Sequence, residues 1–243
     1  MEYQRIERIG DATLYLGDCL GLAPAFEEAD TLIMDPPYSS GGFNESGKAA
    51  GSVGTSSPNR FIQGDTMGTG GYRAMIREVV RVADVLQVYS FTDWRMWDFT
   101  AEAIEMAGHR RRGMLVWDKT VPGMGMKWRL QHELVCWGTR VASRNGPALG
   151  TVLTHKRVNS SKKLHPTEKP VSLMSDIVLN SGGEVIADPF MGCGTTGVAC
   201  ALAGKRFIGM ELDERFFDAA CERIAAAHVE WKSNAEGGDL EDA

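Results

Sequence analysis

The run Glu184-Val185-Ile186-Ala187-Asp188-Pro189-Phe190-Met191-Gly192-Cys193-Gly194-Thr195-Thr196-Gly197 limits the fold of this chain more than any other stretch. Its apolar start reads as a buried strand, its glycines as a tight turn, and the Ala-rich amphipathic run behind them as a helix. Strand, glycine turn and helix start form the repeating unit of parallel α/β sheets. Glycine lets backbone approach a ligand closely, and a helix N-terminus offers free N–H groups. In such sheets the ligand crevice lies outside the carboxyl ends of the strands.

Taken literally, Gly192-x-Gly194-x-x-Gly197 is a dinucleotide fingerprint. Glu211 ends the next apolar strand, Phe207-Ile208-Gly209-Met210, 19 residues after Gly192, a spacing that suits an acid accepting from ribose hydroxyls. Position argues against a nicotinamide enzyme, because a fingerprint starting at residue 192 of 243 leaves too little chain for a second dinucleotide half. A smaller nucleoside bearing a carboxylate instead of a pyrophosphate fits, and S-adenosyl-L-methionine is such a ligand.

A second turn, Asp35-Pro36-Pro37-Tyr38, closes the apolar strand Thr31-Leu32-Ile33-Met34. Two prolines fix φ and remove both N–H donors, so the turn offers carbonyl acceptors without competing donors. The Asp35 carboxylate is another acceptor, and the Tyr38 ring offers a face on which an unpaired base can stack. Alone, the turn fits a stiff corner as well as a pocket for an exocyclic amine. The glycine turn favours the pocket by supplying a methyl donor.

Ala12-Thr13-Leu14-Tyr15-Leu16 is a further short strand, leading to Asp18, so Asp18 and Asp35 both fall on the crevice side. Residues 39–71 hold 9 Gly and 6 Ser among 33 positions, too little apolar surface to pack, and read as a long mobile loop beside the catalytic turn. Helical periodicity resumes at Tyr72; the strand Val85-Leu86-Gln87-Val88-Tyr89 follows, then a helix whose Trp94, Trp97 and Phe99 read as core. Met114–Trp117 and Leu134–Trp137 are two more strands around a Gly-rich turn at 122–125, and 138–164 is an irregular basic stretch. The last helix runs from Glu214 to His228. One domain over 1–232 with a disordered acidic tail at 233–243 accounts for the chain.

Charge is segregated. The chain carries −6 overall, yet residues 110–169 hold 13 Lys or Arg and only Asp118, Glu133 and Glu168 as acids, so this segment is +10 and the remainder −16. This is the pattern of a basic, polyanion-binding face on an acidic body. Five cysteines without a close pair argue for a reducing, cytoplasmic compartment and against both a disulfide framework and a metal site. Cys136, Cys200 and Cys221 read as core, and Cys193 as a spacer in the glycine turn. No apolar run approaches the ~20 residues of a membrane span.

With Trp117-Asp118-Lys119, His132-Glu133-Leu134 and His165-Pro166-Thr167-Glu168-Lys169-Pro170 in order between the two turns, the chain resembles the β-class amino-group DNA methyltransferases of Asp-Pro-Pro-Tyr type, from Leu16 to about Glu222. The resemblance implies a Rossmann-like methyltransferase fold: a mixed seven-stranded sheet with helices on both faces, the catalytic half first and the cofactor half last. It implies a bacterial or phage-encoded enzyme that transfers a methyl group from S-adenosyl-L-methionine to adenine N6 in a specific sequence of double-stranded DNA, with Asp35, Pro36, Pro37 and Tyr38 catalytic. The implied cofactor contacts are Asp18 and Cys19 at the adenine; Asp35; Thr167 and Lys169 toward the carboxylate; His165, Asp188, Pro189, Phe190, Gly192, Gly194, Thr195 and Thr196; and Glu211 at the ribose. The family places its target-recognition region at 138–164, so Arg129, Arg140, Arg144, Lys156, Arg157, Lys162 and Lys163 are the DNA-binding candidates. At about 25 residues that region is short, leaving open one modest element or help from a second copy in a homodimer. Cytosine N4 is the rival target, and an inactive DNA-binding regulator the rival class. Whether a separate restriction endonuclease accompanies the chain stays open.

Overall fold

The computed structural model describes residues 3–21, 23–37, 68–123, 127–142, 146–159 and 168–238. Five apolar strands, β2 (Ala12–Leu16), β9 (Arg206–Glu211), β8 (Val185–Asp188), β3 (Thr31–Met34) and β4 (Gln87–Thr92), lie side by side in that order, each parallel to the next. β3, β4 and β8 are buried at every residue, so β3 and β8 read as near-continuous apolar runs, while β4 also buries Gln87, Ser90 and Thr92. Beyond β4 the sheet continues with antiparallel β6 (His132–Thr139), then β5 (Arg110–Asp118) antiparallel to β6, and β7 (Val152–Thr154) parallel to β5. At the far side, β1 (Arg5–Ile9) forms an antiparallel hairpin with β2.

Successive residues of each strand serve opposite faces. Ile33, Ile186 and Phe207 join one core cluster with Leu173 and Ile177 of α3 (Val171–Ser181), Val198 of α4 (Thr195–Leu202) and Phe217 and Ile224 of α5 (Glu214–Gly238). Leu32, Met34, Val88 and Ile208 join the other, with Tyr72, Ile76 and Val80 of α1 (Thr69–Ala83), Ile104 of α2 (Trp97–Met106) and Phe26 of the 3-10 turn Ala23–Phe26. None of the described helices is long and apolar enough to cross a membrane.

The seven strands from β2 to β5 are the sheet expected from the sequence; β1 and β7 bring the described total to nine. Both additions are edge strands: β1 is charged and only partly buried, and β7, three residues long, lies inside the 138–164 stretch that reads as irregular and depends on pairing with β5. α1 starts at Thr69, taking Gly70 and Gly71 of the expected loop into its first turn, while 38–67 fall outside the described residues. α5 continues past His228 to Gly238, so 233–238 of the expected tail is helical; 239–243 lie outside the description. Trp94 is 58% exposed rather than core, because it follows β4 and precedes α2 instead of lying within either.

Connectivity fixes where a ligand can lie. From β3 the chain passes through α1 to β4 on one side; from β8 it passes through α4 to β9 on the other. The strand order therefore reverses between β3 and β8, which pair directly, and a crevice opens there outside their carboxyl ends.

Candidate active site

Four acids line up along that edge. Asp18 follows β2, Glu211 ends β9, Asp188 ends β8 and Asp35 follows β3, so the sheet order brings together residues from both ends of the chain. The two turns identified in the sequence thus close adjacent parallel strands.

Asp35 leads from a fully buried strand into Pro36, which is buried, and Pro37, which is partly so. One of its oxygens, Oδ2, accepts from the Lys169 ammonium; the other, Oδ1, is buried and has no hydrogen-bond partner among the described residues. Lys169 is 7% exposed, and its ammonium also contacts Glu133 Oε2 at 3.3 Å and lies 4.9 Å from the centre of the Phe91 ring. Glu133 Oε1 in turn pairs with Lys119 Nζ at 2.6 Å. Asp35, Lys169, Glu133 and Lys119 therefore form a chain of alternating charge at the ends of β3, β6 and β5. Burial pushes the Asp35 carboxyl above the ordinary carboxylate range, with the Lys169 ammonium opposing and Glu133 adding to the push. Burial opposes charge on Lys169 too, yet Asp35 and Glu133 outweigh it and hold its pKa above the usual lysine value. At Glu133 burial is likewise outweighed by Lys169 and Lys119, which bring it down to about 2.

On the other side of the crevice, Gly192 and Gly194 both take left-handed backbone, φ 53° and 78°. A Cβ on Gly197 would lie 2.4 Å from Ile224 and 2.7 Å from the Phe207 ring, so this glycine lets α4 pack closely on α5 and the sheet. Glu211 orders the turn: Oε1 accepts the Leu212 and Asp213 N–H groups at 2.8 Å, and Oε2 accepts that of Gly192 at 3.0 Å. One acceptor position remains on Oε2. Asp188 accepts from the Phe190 N–H at 3.0 Å and the Thr196 hydroxyl at 2.5 Å; burial raises its carboxyl to about 7. Pro189 is buried, Phe190 partly so, and Thr195 is 7% exposed at the first turn of α4. Asp18 caps its own turn by accepting from the Leu20 N–H at 2.9 Å, and burial pushes the neighbouring Cys19 thiol up to about 12.

Tyr38, His165 and Thr167 lie outside the described residues. Lys169, expected toward the cofactor carboxylate, has its ammonium engaged by Asp35 and Glu133, because two carboxylates buried beside it attract it most strongly. Sequence reasoning gave no role to Glu133 or Lys119, although the family resemblance runs through both, and it missed Arg223. Arg223 donates to the Cys193 carbonyl at 2.6 Å and pairs with Glu168 at 3.0 Å, tying α5 to the glycine turn and to the segment before Pro170.

The basic segment does not form one face. β6 is antiparallel to β4, so Thr139, paired with Gln87 and Arg110, lies at the opposite sheet edge, together with Arg110 to Arg112. Arg140 follows it there, donating to Asp84 at 2.6 Å and to the Ala107 carbonyl at 2.7 Å, at the edge opposite the crevice. Lys156 and Arg157 follow β7, whose end lies beside Asp118 on the crevice edge, and both are exposed. Arg129, also exposed, lies in the β5–β6 connection on the same edge. Arg144, Lys162 and Lys163 are outside the described residues.

The family model N6_N4_Mtase, described as DNA methylase, matches residues 61–222. YubD of Escherichia coli (strain K12) is 30% identical over 234 residues, 92% of this chain and 94% of that protein. The type II methyltransferase M2.DpnII of Streptococcus pneumoniae is 27% identical over 229 residues, 82% of this chain and 84% of its own length. Among solved structures, the M1.HpyAVI–SAM complex superposes with a TM-score of 0.63 at 20% identity over 88% of this chain and 98% of that one. PvuII DNA methyltransferase, cytosine-N4-specific, does so at 0.66 and 13% over 96% and 97%. At these identities the superpositions bear on the fold alone.

Proposed function

This chain belongs to the amino-group (N6/N4) DNA methylase family, and on that footing we propose that it methylates the exocyclic N6 of adenine within a specific sequence of double-stranded DNA, using S-adenosyl-L-methionine. The observation that carries the reading is the Asp35 carboxylate. One oxygen is anchored by Lys169 and the other is buried without a partner among the described residues, an acceptor at the reversal of strand order, where the glycine turn follows the neighbouring strand.

The residues present fit the cofactor. Asp18, Asp188 and Glu211 give the crevice acceptors and negative charge, suited to a cationic nucleoside with a ribose diol, and Gly192 and Gly194 keep the backbone bare of side chains. Glu211 Oε2 takes one ribose hydroxyl, and Asp18 with Cys19 lies toward the adenine. Thr167 is the remaining candidate for the carboxylate, and His165 for another cofactor contact. When bound, S-adenosyl-L-methionine supplies an electrophilic sulfonium methyl.

Adenine N6 is a weak nucleophile because its lone pair is delocalised into the ring. Asp35 Oδ1 and the Pro36 carbonyl accept its two N–H bonds, favouring a pyramidal nitrogen, while Tyr38 stacks the extruded base. Holding the nitrogen in line supplies much of the acceleration. As the new C–N bond forms and the methyl's bond to sulfur breaks, the nitrogen becomes acidic and its proton passes by way of Asp35 to water, so no strong base is required.

Asp rather than Ser at the head of the turn favours adenine over cytosine N4; the likeness to PvuII concerns the fold and does not reverse that. The intact acceptor geometry at Asp35 favours an enzyme over an inactive regulator. Kinship with a type II methyltransferase supports a place beside a separate restriction endonuclease. Asp35→Ala is expected to abolish transfer to DNA while calorimetry still detects cofactor binding; near-normal turnover in this variant overturns the assignment.

A further inference from the structure

A second feature of the crevice edge has no part in holding the amine. The β5–β6 connection carries Trp128, 97% exposed, between Lys127 and Arg129, with Leu130 at 55% and Val121 at 52% exposed nearby. Its base is firmly tied: the Lys119 N–H donates to the Gln131 carbonyl at 2.9 Å, the Gly123 N–H to the Leu130 carbonyl at 2.8 Å, and Gln131 Nε2 to Asp118 at 2.9 Å. Lys119, at that base, is the outer member of the ion chain ending at Asp35. An indole offers about 150–250 Å² of contact area for stacking.

Building on the proposed reaction, we infer that Trp128 is the wedge that enters the DNA stack as the target base leaves it, filling the gap beside the orphaned partner base. The flanking Lys127 and Arg129 fit phosphates on either side of such a gap. The site is common to any duplex from which a base must be extruded; it supplies stacking, which every base offers, and no sequence readout. A surface for a second copy of the chain fits less well, because the aromatic lies between two cations on the edge where the polyanion must approach.

The test uses the full chain and two duplexes containing the target sequence, mapped beforehand on DNA methylated by the wild type. In one duplex the target base is paired; in the other it faces an abasic site and is already unpaired. Trp128→Ala is expected to lower kcat/KM about tenfold or more on the paired duplex. On the abasic duplex it should stay within about twofold of wild type, and Trp128→Phe should recover most of the paired-duplex rate. Equal loss on both duplexes, or no loss on either, overturns the wedge; equal loss together with a change in sedimentation assigns the face to a second copy instead. A wild-type chain that leaves DNA unmethylated in the mapping step overturns the proposed function, and the wedge with it, whereas wild-type transfer with equal losses in Trp128→Ala overturns the wedge alone.

Discussion

Lys169→Met probes the ion chain most sharply, because methionine approximates the shape of lysine while removing its charge. In the native protein the ammonium is 7% exposed and serves two carboxylates, Asp35 and Glu133, the latter at 3.3 Å. At an effective dielectric of about 20, unit charges at that separation attract by roughly 5 kcal/mol before desolvation is counted. Removing one partner of a buried pair costs about 3–5 kcal/mol, since the partner left behind keeps its desolvation penalty. At ~2–4 °C per kcal/mol for a chain of this size, Tm should fall by roughly 6–20 °C at pH 8. The sign of the pH dependence follows. Without Lys169, burial raises the Asp35 carboxyl further, and a raised carboxyl contributes stability at low pH that is lost as pH rises through its folded pKa. The deficit should therefore shrink toward pH 5 and widen toward pH 8. Adding Glu133→Gln removes the second carboxylate and should recover part of the loss without restoring transfer. Scanning calorimetry across pH measures all three proteins; a Lys169→Met variant melting within about 1 °C of wild type at pH 8 would refute the reasoning.

Asp188, raised to about 7 by burial, gives a second pH signature: its ionisation costs the fold stability as pH climbs from the ordinary Asp range through 7. Asp188→Asn, which keeps an acceptor for the Phe190 N–H, should raise Tm relative to wild type at pH 8 and not at pH 4, as thermal melts would register. At the other sheet edge, Arg140→Ala should lower Tm through loss of its bonds to Asp84 and the Ala107 carbonyl, yet leave DNA affinity unchanged. Lys156→Ala and Arg157→Ala should do the reverse, each lowering the slope of log affinity against log salt by about 0.9 in filter binding.

Most of the sheet was legible because its strands are buried on both faces. Thr31–Met34 matches its sequence reading residue for residue, and the acids read at strand ends, Asp18, Asp35 and Glu211, meet at one edge with Asp188 because parallel strands align their carboxyl ends. β1 and β7 escaped notice as edge strands, where half the side chains face water and pairing with a neighbour decides the conformation. The ion chain was only half visible. Lys169 and Asp35 are 134 positions apart, and nothing local in either segment signals that Glu133 and Lys119 complete it. Charge counted along the chain likewise ignores that an antiparallel strand carries its two ends to opposite edges, which separates Arg140 from Arg129.

The most direct test of the account is the identity of the methylated nucleoside. Duplex DNA incubated with the protein and methyl-labelled S-adenosyl-L-methionine, then digested to nucleosides and separated, should carry its label in N6-methyladenine. Label in N4-methylcytosine would contradict the adenine assignment while sparing the family chemistry, and DNA that gains no label would contradict the account as a whole.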